Sequence, residues 1–209
     1  MDPLGEVERR PRQRLTAAER RDQLAAAVVE VLSSRGYRAA TADTIVQEAG
    51  VSKGLLWHYF TDLDDLLEYT ARQTLMRLAR AVGATIDLTA PAPEVIRSAV
   101  HGAARLSQTH SRERRALQEI VLNLRTADGA LRLTLDDYEE LYVAQEAIFR
   151  RGQQEGHFRN DHDPRLLAVT YQGAVDAMLA YLETHPGADP QRHAAAVADV
   201  LLSGINLRP

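Results

Sequence analysis

The chain has 209 residues, of which 45% are apolar and 26% charged, with a net charge of −4 and no cysteine. It is long enough to bury a substantial core, and its composition is that of an ordinary soluble globular protein. Without cysteine there are no disulfides, thiolate metal sites or cysteine nucleophiles. No apolar run approaches the ~20 residues of a membrane span and no secretory leader opens the chain, so a cytoplasmic protein is expected.

Charge is unevenly placed. Residues 9–21, "RRPRQRLTAAERR", carry six arginines against Glu19, a local balance of +5, whereas residues 61–209 hold 16 Arg against 21 Asp and Glu, a balance of −5. A basic amino-terminal end is the footprint expected when only part of a protein meets a polyanion. Residues 1–14 are read as a flexible, Arg-rich arm.

Helical periodicity dominates from there on. Thr16 followed by Glu19 is a capping-box pattern that opens a helix over 16–35, with Leu24, Val28, Val31 and Leu32 on one face and a stop at Gly36. A short helix opens at Thr41 and runs to 48. Gly50 punctuates, and Ser52 caps a second short helix over 52–59. Asp62, Asp64 and Asp65 then suit the first turn of a long helix. "LTAPAPE" (88–94) is a Pro-marked break. Further helices are expected over 93–109, 111–126, 128–154, 164–185 and 189–204, the last two separated by "THPGADP". The expected fold is all-α with nine helices: an amino-terminal three-helix unit to residue 60, and a carboxy-terminal helical bundle over 61–209. The long fourth helix starts within two residues of the first unit, so no linker divides them.

The stretch "AGVSKGLLWHYF" (49–60) holds the only lysine and the only tryptophan of the chain. Two short helices joined by a tight glycine turn spell a helix-turn-helix. Ile45, Ala49, Val51, Leu56 and Phe60 are expected to point inward. Lys53, Gly54, Trp57 and His58 fall on the outer face, where a helix presented by its N-terminal end fits a DNA major groove. Hydroxyls at the helix starts, Thr41 and Ser52, suit phosphate oxygens.

Over residues 20–70 this sequence resembles the DNA-binding module of the TetR family of bacterial transcriptional regulators, most specifically in "AGVSKGLLWHYF" beside the family's usual "AGVSKGTLYHYF". The resemblance implies that Thr41 caps the second helix and touches a phosphate, and that Lys53 and Gly54 approach the DNA. It further implies that Trp57 and His58 share the reading face, and that Tyr59 gives its hydroxyl to the DNA backbone. Two departures stand out: Leu55 replaces a small polar residue, and Leu63 replaces a lysine phosphate clamp. The remainder of the chain resembles the family only in helix count and lengths.

The resemblance implies that residues 61–209 bind an effector and dimerise. The helix at 164–185 carries two apolar stripes, Leu167, Tyr171, Ala174, Met178 and Leu182 on one side and Leu166, Val169, Gly173, Ala177 and Ala180 on the other, so it needs partners on both. The second stripe, rich in small residues, suits a two-fold interface completed by Val197, Val200, Leu201, Leu202 and Ile205. Polar or aromatic residues on apolar faces are the candidates for lining an effector pocket: His101, Arg105, Gln118, Asn123, Tyr138, Tyr142, Phe149 and Tyr171. His157, Asp161, His162 and Asp163 crowd one loop, but Asp163 before Pro164 is the pattern of a helix cap, and no metal or other cofactor is expected. The expected function is a ligand-responsive transcriptional repressor, a homodimer on palindromic operator DNA, released by a small hydrophobic effector. The alternatives are a ligand-independent architectural DNA binder and a helical enzyme with an incidental helix-turn-helix, although no catalytic constellation is identifiable.

Overall fold

A computed structural model describes residues 15–206. The arginine-rich arm at 1–14 lies outside the described residues. Nine α-helices follow in order among them: α1 (Ala17–Arg35), α2 (Ala42–Ala49), α3 (Lys53–Tyr59), α4 (Leu63–Gly83), α5 (Ala92–Thr109), α6 (Ser111–Asn123), α7 (Glu139–Gln154), α8 (Pro164–Thr184) and α9 (Pro190–Ile205). None is long and apolar enough to cross a membrane.

The helix starts follow side-chain chemistry. Thr16 and Glu19 close a reciprocal capping box on α1, and Thr41 with Thr44 does the same on α2. Ser52, Asp62, Asp163 and Asp189 each accept a first-turn amide of the helix they precede. These bonds satisfy donors that a helix cannot satisfy internally.

One expected helix does not form as read. Instead of a helix from 128, the chain leaves α6 at Asn123 and makes a tight reversal, with Arg125 bridged to Leu131 and the Thr126 amide donating to the Ala130 carbonyl at 3.0 Å. Gly129 sits at φ +86°, a conformation that a continuous right-handed helix cannot contain. Leu124 and Leu133 are pulled into the core from either side of the reversal. A 3₁₀ turn over Leu135–Tyr138, capped by Thr134, then leads into α7. The "ADG" turn chemistry overrode the helical spacing.

The core has two parts. The first is built on α1, with Leu24, Val28, Val31 and Leu32 meeting Ile45, Leu56, Phe60, Leu66 and Leu67. It also takes Ala116 and Ile120 from α6, so the amino-terminal unit is completed by a helix from far along the chain. The second gathers Ile96 and Val100 of α5, Phe149 of α7, Tyr171, Val175 and Met178 of α8, and Ala194, Ala198 and Leu202 of α9. Phe158, fully buried there, fastens the α7–α8 connection, and the next residue's amide donates to the Ile205 carbonyl at 2.8 Å.

Candidate nucleic-acid interface and internal cavity

The α2–α3 corner is fixed from three sides. Gly50 takes the left-handed conformation at φ +65° and ψ 37°, which it adopts without the steric penalty of a Cβ. The Val51 amide donates to the Val46 carbonyl at 3.0 Å, and the Gln23 side-chain amide of α1 donates to the Ala49 carbonyl at 2.9 Å. Leu56, fully buried, and Phe60 anchor α3 from below, while Arg21 stacks its guanidinium over Phe60 and Tyr69, 4.8 and 4.5 Å from the ring centres. Arg21, counted in the basic run, is therefore part of the aromatic packing.

The outer face of α3 carries Lys53, Gly54, Trp57 and His58, all exposed, with Trp57 at 43%. Ser52 and Thr41 stand exposed at the starts of α3 and α2. Leu55 and Tyr59 are half-buried; Tyr59 leans on the core and meets the His58 ring edge-on at 4.9 Å. Leu63 also packs against that core. The structure leaves six of the eight sequence-predicted residues exposed and half-buries Leu55 and Tyr59. It adds one that the sequence reading missed: Asp43 of α2, whose carboxylate pairs with Lys53 Nζ at 2.7 Å. No internal contact requires the glycine at 54, since a Cβ built there would meet nothing nearer than Ser52 Oγ at 4.0 Å.

A second feature lies between α4, α5, α6, α7 and α8, a cavity of about 590 Å³ open to solvent. Its walls are largely aliphatic, including Leu75, Leu78, Val82, Ile96, Leu117 and Leu179. Of the eight pocket residues expected from sequence, Gln118, Tyr138 and Tyr171 line it. The other five do not. His101 is bonded to Gln191 of α9 at 2.7 Å and Arg105 to Thr85 at 3.0 Å. Asn123 turns back on Glu119, Tyr142 lies beneath the Arg165 guanidinium, and Phe149 is buried in the second core. Periodicity places a residue on a helix face but does not say which neighbour that face meets.

Besides Gln118, Tyr138 and Tyr171, the polar groups that reach the cavity are Gln145 of α7, Gln172 and Asp176 of α8 and Arg114 of α6, with Arg80 and Glu140 exposed at its edge. Gln145 donates to Gln172 at 2.7 Å, and Gln172 donates to Asp176 at 2.8 Å. Burial pushes the Asp176 carboxyl above its ordinary range, against the pull of the Gln172 bond and the Arg114 charge. Burial likewise pushes the Tyr138 hydroxyl up to about 12, with the Asp176 charge adding to it. Arg114 is lowered by its own desolvation and lies 3.6 Å from Glu183. At the α7–α8 loop, Asp163 caps α8 as expected, and among the described residues no three His, Asp or Glu gather as a metal site would need.

A family model for bacterial regulatory proteins of the tetR family matches residues 24–70, which span the α1–α3 unit and the start of α4. The amino-terminal unit over these residues is that of the TetR family. The HTH-type transcriptional regulator BetI of Ectopseudomonas mendocina is 44% identical over 64 residues, 31% of this chain and 33% of that protein. The match thus spans about a third of that relative's length. The HTH-type transcriptional repressor Rv1474c of Mycobacterium tuberculosis is 29% identical over 188 residues, 90% of this chain and 94% of that one. In three dimensions the likeness to solved regulators extends over about nine tenths of the chain. The fatty acid degradation regulator FadR of Bacillus halodurans superposes with a TM-score of 0.75 at 18% identity, covering 91% of this chain and 97% of that one.

Proposed function

We propose that the protein is a dimeric transcriptional repressor that reads operator DNA with α3 and leaves it when a small, largely apolar effector enters the cavity. The observation that carries the DNA-reading half is the outer face of α3. There an exposed glycine is kept at the second helical position, although nothing inside the protein requires it. Glycine in a helix is less stable than alanine by roughly 0.5–1 kcal/mol, so its use there fits close approach by an outside partner.

The flanking groups suit the same partner. Thr41 and Ser52 present helix starts to phosphates, Trp57 and His58 face outward, and Lys53 exchanges Asp43 for a phosphate or guanine. An exposed ion pair of this kind is worth only ~0–1 kcal/mol, so the exchange is easily made. Asp43 holds the ammonium in place until then.

α6 links cavity to reading head. One side of it, with Arg114, Leu117 and Gln118, lines the cavity, while Ala116 and Ile120 on the other side pack in the amino-terminal core. Glu119 accepts the Tyr37 amide at 3.3 Å and Arg112 pairs with Glu30 of α1 at 2.9 Å. An effector that seats better when α6 and α4 are displaced favours a dimer whose reading helices no longer match the half-site spacing. Dimerisation is assigned to the outward faces of α8 and α9, where Leu166 is 60% and Val200 73% exposed.

The test is Gly54→Ala, measured by thermal unfolding and by binding to DNA from upstream of the protein's own gene. Unfolding should become harder, by roughly 0.5–1 kcal/mol, while DNA affinity falls at least about tenfold, a ΔΔG of ~1.4 kcal/mol. Unchanged DNA affinity in a stabilised variant would remove α3 as the reading element.

A further inference from the structure

The effector cavity holds a directional chain of amides. Asp176 is an acceptor toward Gln172, so Gln172 turns its NH₂ to the carboxyl at 2.8 Å and its oxygen toward Gln145. Gln145 must then give its own NH₂ to that oxygen, at 2.7 Å. The carbonyl end of Gln145 is left over: Oε1 is buried and no described group donates to it, although the residue is only 8% exposed. A buried amide oxygen without a donor is unusual, because leaving it unpaired costs about 1–3 kcal/mol.

Arg80 is exposed at the cavity's edge, and the buried charges oppose an acid. Arg114 is the cavity's buried cation, but Glu183 lies 3.6 Å from it and Asp176 is close enough to act on it electrostatically. A ligand carboxylate brought to Arg114 would meet both acids. Among the described residues lining the cavity, the buried side-chain atom without a hydrogen-bond partner is an acceptor, Gln145 Oε1.

We infer that the effector is an apolar molecule whose head group is a hydrogen-bond donor, a hydroxyl or an amine, received at the Gln145–Gln172–Asp176 chain, and that carboxylic acids are disfavoured. The inference rests on the cavity being the effector site. Its readout, however, is binding to the purified full chain and needs no DNA.

Isothermal titration calorimetry with octan-1-ol, octylamine and octanoate, which share one hydrocarbon body, tests it. The alcohol and the amine should bind at least about tenfold tighter than octanoate, the scale of one buried hydrogen bond. Gln145→Leu should remove most of that preference. Asp176→Leu frees both amides to turn over and should improve octanoate relative to the alcohol. The wild-type series decides even if a variant does not fold. Octanoate binding as tightly as the alcohol, or no binding by any of the three, overturns the inference. Donor-selective binding that leaves operator DNA bound would instead overturn the release mechanism and leave the head-group assignment standing.

Discussion

Gly152 on α7 is kept for space. A Cβ at that position would lie 2.2 and 2.3 Å from two ring carbons of Phe158 and 2.9 Å from the Ala92 Cβ. Phe158 is fully buried and cannot swing aside, so Gly152→Ala overpacks the second core. We expect a loss of about 2 kcal/mol, read as a lower urea midpoint. Asp176 is the opposite kind of residue, a group the fold holds at some expense in stability. Its carboxyl titrates above the ordinary 3.8 because burial disfavours the charge. The folded protein therefore binds that proton more tightly than the unfolded chain, and stability falls as pH rises from the ordinary value through the raised one. Asp176→Asn does not titrate. In urea titrations across that window the variant should gain on wild type with rising pH, then run parallel; a difference that does not change with pH would contradict the assignment.

At the scale of elements, the short helices depend on their caps more than on their length. α2 has eight residues, too few to be stable alone, and its start is held by the Thr41–Thr44 box, with the Thr44 hydroxyl also bonded to the Ala39 carbonyl. Thr41→Ala should lower stability by about 1 kcal/mol in chemical denaturation. These caps were legible in the sequence because each is a local pattern of hydroxyl or carboxylate and following amides. The start of α7 was not. The residues from 128 onward have helical spacing, yet Gly129 and the burial of Leu124 and Leu133 set a reversal there. "TADG" was the available signal, and burial of the two leucines in a core built mainly from α1 to α4 gave it the decisive weight.

For the whole molecule, the outward side of α8 and α9 carries the assembly prediction. Leu166 and Val200 are exposed while Leu202 and Ile205, read from sequence as interface residues, are buried in the protein's own core. Val200→Glu should turn a dimer into a monomer in analytical ultracentrifugation without loss of helix content. Operator affinity should fall with it, because two reading heads on one rigid body bind far more tightly than one. A monomeric wild-type protein would remove this face from consideration.

The sequence by itself determined the helical fold, most helix boundaries and the outward face of α3, because each depends on neighbours within a few positions. Capping, the glycine turn and the alternation of Leu56 and Phe60 with Lys53, Gly54 and Trp57 are all local. What only the tertiary structure decided was who faces whom across the long helices. Tyr142 and Phe149 share a helix face with helical spacing but went to packing. Gln145, Gln172 and Asp176 carry no signal as separate letters, and became a hydrogen-bonded chain once α7 and α8 lay side by side with a cavity beside them. A hydrogen-bond chain between helices has no signature in either helix alone. It exists only after burial has removed the water that would otherwise have satisfied each group.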